Sequence, residues 1–302
     1  MNKRALFYKK EEDKIRCNLC PHNCLISEGH RGICNVRKAM KDEDGELNLY
    51  SLNYGEVTSI SLDPIIKKPL YKFYPESMIL SIGSFGCNFK CSFCQNYDIS
   101  QYRPKSKFIS PEEMAKISLD MEESIGLAFT YNEPSIWYEY VYYTAKKIKE
   151  IDSNHKVVVV TNGYISEEPL KALLPYVDAL NIDLKGNNEY YKKLCFGSLE
   201  EVKRTIKIAV EMGKYVEVTT LLIPDENTDN FTLADIGNFL NKLDRTIPLH
   251  ISRYFPRYKM DKNATSLQEM RNAYKVLSEK LDNIYLGNLT KAEIEYCMSW
   301  EY

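Results

Sequence analysis

The chain has 302 residues, 44% hydrophobic and 27% charged, with a formal net charge of -2. That composition excludes a disordered polymer and leaves room for one large α/β domain, or a core with a small appendage. Near-neutral charge gives no footing for broad nucleic-acid binding, and no apolar run is long enough to cross a bilayer, so no nucleic-acid or membrane partner is expected.

The first ten residues carry Lys3, Arg4, Lys9 and Lys10 without an apolar stretch. They do not read as an export signal, so a reducing, cytoplasmic location is expected. Nine cysteines in such a compartment point to metal or catalysis rather than disulfides. Four of them, Cys17, Cys20, Cys24 and Cys34, are spaced C-x2-C-x3-C-x9-C. This set reads as a structural zinc site or an auxiliary iron–sulfur cluster. A closed, all-thiolate site stapling a small knob slightly favours zinc. Alternation in Leu47–Leu52 and Val57–Leu62 predicts short half-buried strands. Residues 1–75 therefore form a cysteine-rich, strand-containing N-terminal region.

From residue 76 to 302 strands and helices alternate. Apolar runs at Met78–Gly83, Ile125–Thr130, Lys156–Thr161, Ala179–Leu184, Tyr215–Ile223 and Leu249–Phe255 predict six strands. Helix starts are expected at Ser110-Pro111-Glu112-Glu113, Ser198-Leu199-Glu200-Glu201 and Thr265-Ser266-Leu267-Gln268. Repeated strand–helix units imply parallel strands with right-handed crossovers. Six units cannot close an eight-stranded barrel. The expected fold is α/β, a partial (β/α)6 TIM-like barrel.

Directly after the first of these strands come Cys87, Cys91 and Cys94, spaced C-x3-C-x2-C. Three thiolates can hold three corners of an iron–sulfur cube and leave the fourth iron without a protein ligand, whereas a cube used only for electron transfer normally has four. The loop sits at the carboxyl end of a parallel strand, where such folds place their sites. Zinc with a remote fourth ligand is the competing reading of the three thiols. The motif, with Phe93 before its third cysteine, resembles the radical S-adenosylmethionine (SAM) superfamily. There the open iron is chelated by the amino and carboxylate groups of SAM.

The resemblance directs attention to the other strand ends. Thr130-Tyr131-Asn132-Glu133-Pro134 is similar to the Gly-Gly-Glu-Pro segment that holds the SAM amino group, which gives Glu133 the acceptor role. A carboxylate stabilising a helix N-terminus is its plainer reading. Thr161-Asn162-Gly163 and Asn181-Ile182-Asp183-Leu184-Lys185-Gly186 resemble segments of activating-enzyme-type members, marking Asn162, Asp183 and Lys185. Asp183 and Lys185 share one side of a strand and can reach into the mouth or simply pair with each other. On the last strand, Arg253 is a candidate for the SAM carboxylate and His250 for SAM contact or proton donation.

Taken together, Cys17–Cys24, Gly29–Cys34, Asp63–Leu70 and Gly86–Asn96 resemble the AmmeMemoRadiSam-system radical SAM proteins, relatives of pyruvate formate-lyase activating enzyme. The resemblance implies a [4Fe-4S] cluster that reduces SAM to methionine and a 5′-deoxyadenosyl radical, which takes hydrogen from an unidentified substrate. It also implies an oxidoreductase- or lyase-like enzyme served by an electron donor such as flavodoxin or ferredoxin. Memo-like and AMMECR-like proteins are the partners implied by that system. A glycyl-radical-enzyme activase and a non-catalytic electron carrier are the alternatives.

Overall fold

The computed structural model describes residues 3–299. Two small antiparallel sheets come first. In one, Lys14–Cys17 lies between Tyr8–Glu11 and Leu25–Ser27. In the other, Leu47–Ser51 lies between Lys3–Arg4 and Arg37–Lys41. Ile15 and Ala39 alternate with more exposed neighbours and, like Leu49, are fully buried, so each sheet keeps one apolar face inward.

The core is one eight-stranded sheet. Its strands are β1 (Ser59–Pro64), β2 (Met78–Gly83), β3 (Ser124–Phe129), β4 (Lys156–Thr161), β5 (Ala179–Asp183), β6 (Tyr215–Leu222), β7 (Leu249–Arg253) and β8 (Ile284–Gly287). They stand in chain order. β1 is antiparallel to β2, and every later pairing is parallel. Runs such as Val157-Val158-Val159 are buried, as strands covered on both faces require. The ends of the order, β1 and β8, do not pair with each other, so the barrel is open.

Six strands were expected and each lies within two residues of its predicted bounds. β8 adds a further parallel strand. β1, on the N-terminal side of the expected boundary near residue 75, is hydrogen-bonded into the core sheet. Between β1 and β2 the chain runs as a strap across the amino ends of the strands. Asn181 Nδ2 donates to Pro69 O (2.8 Å), and Tyr71 and Lys72 N–H donate to the Glu217 carboxylate (3.0 and 2.9 Å). The carboxyl ends of β2–β7 are left for the site.

Helices cover the outer face: α1 (Pro111–Leu119), α2 (Tyr138–Ile151), α3 (Leu199–Glu211), α4 (Asn230–Asp244) and α5 (Leu267–Ser278). Ser110 caps α1 as predicted, accepting from Glu113 N–H. Ser198 precedes α3 without a side-chain cap bond. α5 starts one residue later than expected: Ser266 and Glu269 form its capping box. The Thr265 hydroxyl instead donates to Leu222 O (2.6 Å).

Candidate active site

β2 ends at Gly83, and the chain turns through Gly86 into the cysteine loop. Gly86 has φ +91, and a Cβ there would stand 2.6 Å from Val36 Cγ1, so only glycine passes. The loop is then pinned from several sides. Gly86 N–H donates to Ile99 O (2.9 Å), Lys90 N–H to Cys195 O (3.0 Å) and Ser92 N–H to Leu194 O (3.3 Å). Asn132 accepts from Ser84 N–H (2.9 Å) and donates to Gly86 O (3.3 Å). Phe93 is buried beside the Tyr190 ring, and Phe89 beside Tyr164 and Tyr191.

These constraints turn Cys87, Cys91 and Cys94 into one cavity of about 390 Å³ at the carboxyl ends of the strands. The opposite walls carry Glu133, Asn162, Asp183, Lys185 and Thr219. Cys87 Sγ accepts from Phe89 N–H (3.3 Å) and faces Asn162 Nδ2 at 3.7 Å. Burial pushes the Cys87 and Cys94 thiols up; Cys91 rises through its contact with Cys195 and then through burial. As free groups they hold their protons, and a metal centre must displace them. No fourth cysteine lines the cavity among the described residues.

Glu133 is buried. Its Oε1 accepts from Thr161 Oγ1 (2.6 Å) and Ser135 N–H (2.9 Å), and its Oε2 from Asn162 N–H (2.8 Å). A carboxylate has about four acceptor positions, so one remains for a ligand amine. Burial raises the Glu133 pKa against these donors. Asn162 bridges to Asn88 Oδ1 (2.9 Å), and Asn88 in turn donates to Tyr164 O (2.7 Å). Lys185 Nζ meets Asp183 Oδ2 at 2.6 Å. Burial opposes the Lys185 charge, but Asp183 and the Cys91 and Cys195 sulfurs outweigh it and raise its pKa.

The structure does not bring His250 and Arg253 to this cavity. His250 Nε2 bonds Glu217 Oε2 at 2.5 Å, and its ring packs between Tyr71 and Tyr285. It lies one inward-facing position before Ser252, which does line the cavity. Arg253 falls on the opposite face of β7, where it donates to Thr265 O (2.7 Å) and Glu293 Oε1 (3.0 Å).

The segment Asp63–Leu70, which carried the resemblance without an assigned role, supplies a second set of polar groups. Lys67 and Lys68 rise from the strap into the cavity wall with Tyr131. Asp63 Oδ2 accepts from Lys68 Nζ (2.8 Å) and Tyr131 Oη (2.7 Å). The Lys68 ammonium lies 4.7 Å from the Tyr131 ring centroid. Tyr131 adopts φ +71, the left-handed region that favours the glycine of the family segment. The spacing of Asp63 to Lys67 and Lys68 across a short turn was the available signal.

A three-thiol loop after β2, the first of the parallel strands of an open barrel, facing a carboxylate-lined cavity, defines the class. The sequence profile described as the radical SAM superfamily matches residues 81–234, and the chain belongs to that superfamily. It is 41% identical over 304 residues to an uncharacterised protein of Methanocaldococcus jannaschii, covering 98% of this chain and 88% of that one. A putative glycyl-radical enzyme activating enzyme of the same organism is 25% identical, covering 72% and 91%. Streptococcus suis SuiB bound to S-adenosylmethionine shares the fold at TM-score 0.55 and 14% identity, over 72% of this chain and 51% of that one. The superfamily implies a [4Fe-4S] cluster and SAM, and three cavity-lining thiols with a buried acceptor opposite fit both.

Proposed function

We propose that the chain is an enzyme that cleaves SAM reductively and uses the product to take hydrogen from a substrate. When bound, the cluster and SAM supply a one-electron cleavage to methionine and a 5′-deoxyadenosyl radical. The protein's own part is placement. Cys87, Cys91 and Cys94 hold three irons, Glu133 receives the SAM amino group at its remaining acceptor position, and Asn162 fixes the first cysteine. Asp183 and Lys185 offer a paired acceptor and donor across the cavity, suited to hydroxyl and carboxylate groups.

The single observation that carries this reading is that the three thiols and Glu133 line one cavity while, among the described residues, no fourth thiol does: Cys195, which touches Cys91, is not part of that lining. An electron carrier would require that fourth ligand. The test is anaerobic reconstitution, reduction and assay of 5′-deoxyadenosine. Cys91→Ala is expected to abolish product. Unchanged product in Cys91→Ala, or none from the wild type under conditions that serve another radical SAM enzyme, would refute the reading.

The narrower assignment to the AmmeMemoRadiSam system rests on Cys17–Cys24, Gly29–Cys34 and Asp63–Leu70. With it go flavodoxin or ferredoxin as donor and Memo-like and AMMECR-like partners. A second reading, activation of a glycyl-radical enzyme, is supported by the relative of that description. It predicts a SAM-dependent glycyl radical signal on a partner polypeptide.

A further inference from the structure

With SAM and a substrate at the carboxyl ends of the strands, an electron for the cluster needs another way in. The cysteine loop leaves one corner open to it. Cys91 is buried against Cys195, and its neighbour Ser92 is bonded to Leu194 O. Asn88 and Asn162 stand against Cys87. Cys94 is half-buried, and its Sγ lies 3.8 Å from Ser100 Oγ. Ser100 lines the SAM cavity and also a separate, outer cavity of about 310 Å³.

The outer cavity lies between the turn that presents Cys34, closed by Asn35 N–H on Gly32 O (2.9 Å), and the segment that follows the cysteine loop. Val36, Leu52 and Phe85 supply its apolar wall. Arg31 enters it from the turn and Arg103 from the later segment. The Arg103 guanidinium lies 5.1 Å from the Phe85 ring centroid. Five other arginines pair with carboxylates, whereas neither of these two meets one among the described residues.

The positive charge continues beyond the cavity. Residues 29–41 and 99–111 contain no Asp or Glu. Lys38 pairs with Arg31 across an antiparallel bridge, which sets both side chains on one face. Lys105 and Lys107 follow Arg103 and are exposed. Tyr102 stands at the rim, 61% exposed. Arginine and tyrosine are the side chains that most often anchor protein interfaces. Exposed cations spread over two segments suit a broad acidic surface better than one small anion.

We infer that this face docks an acidic one-electron carrier protein, whose electron passes by Ser100 to the Cys94 corner. The inference rests on Cys87, Cys91 and Cys94 being the cluster ligands of the proposed function. The carrier is oxidised by one electron and the cluster reduced by one; no bond forms or breaks and no proton moves. Opposite charge steers the two proteins together, and salt weakens that attraction.

Reduction of the reconstituted full chain, followed as loss of cluster absorbance in stopped flow, reads docking without requiring SAM cleavage. The probe is a reduced, strongly acidic flavodoxin, with reduced methyl viologen as a small cationic control. In the Arg31→Glu, Arg103→Glu double variant the flavodoxin rate at low salt is expected to fall about tenfold or more, with the viologen rate within about twofold. Added salt should slow the wild type and leave the variant nearly unaffected. Lys242→Glu with Lys275→Glu, exposed on α4 and α5, makes the same change in net charge and should keep the flavodoxin rate within about twofold. An unchanged rate in the first variant, an equal loss in both, a loss shared by viologen, or a wild type that viologen reduces and flavodoxin does not, overturns the inference. A wild type that flavodoxin reduces but that forms no 5′-deoxyadenosine refutes the proposed function alone.

Discussion

Asp63 shows how much a single carboxylate can organise. Its Oδ2 takes hydrogen bonds from both Lys68 and Tyr131, and Lys68 is almost wholly buried. Burial alone would raise the Asp63 pKa, but Lys68 and Tyr131 outweigh it and hold the group well below its ordinary 3.8. Because the folded pKa is depressed, the stabilisation is present above the ordinary value and is lost as pH falls through the folded one. Asp63→Asn leaves a buried ammonium unpaired. The expected cost is about 3 kcal/mol at neutral pH. Urea denaturation at a series of pH values checks it: the gap between wild type and variant should narrow as pH drops below about 4. A gap independent of pH would mean that the pair is not its source. None of this needed recognition of a motif; it needed the strap to fold back under the barrel, which no local pattern announces.

Elements were more legible than contacts. Strand positions could be read because buried parallel strands are written as continuous β-branched and apolar runs, as in Lys156–Thr161. β8 was harder, since Ile-Tyr-Leu-Gly is four residues with only Leu286 buried. Strand parity is also legible in the sequence. Positions 250 and 253 differ by an odd number, so His250 and Arg253 cannot both point inward from one regular strand. Positions 183 and 185 differ by two, and both reach the cavity. Cap chemistry separates in the same way. Ser266 makes a reciprocal capping box and Ser198 makes no cap bond. Ser266→Ala should therefore cost about 1 kcal/mol, while Ser198→Ala should cost no more than a few tenths. Chemical denaturation of the two variants side by side measures the difference. Equal losses would show that the Ser-x-x-Glu pattern alone, rather than the bond, sets the helix start.

At the scale of the whole molecule, an open barrel must be held at its amino end while its carboxyl end receives ligands. The strap between β1 and β2 does this. Glu217 on β6 accepts from Tyr71 and Lys72 N–H and from His250, so one buried carboxylate ties the strap to β6 and β7. Burial would raise its pKa, but His250 and the two backbone donors hold it below the ordinary 4.5. The sign is again that of a depressed acid: its contribution holds above the ordinary value and fades as pH falls through the folded one. Glu217→Gln keeps the shape but replaces one acceptor oxygen with a donor, setting an N–H group against Tyr71, Lys72 or His250. The expected loss is about 2 kcal/mol or more of global stability. Since Glu217 and His250 lie below the cavity floor, SAM affinity measured on the folded variant should stay within about twofold of wild type. A large loss of affinity with unchanged stability would place His250 in SAM recognition after all. A loss of stability with affinity preserved would assign the pair to holding the strap and leave ligand binding to the groups above it.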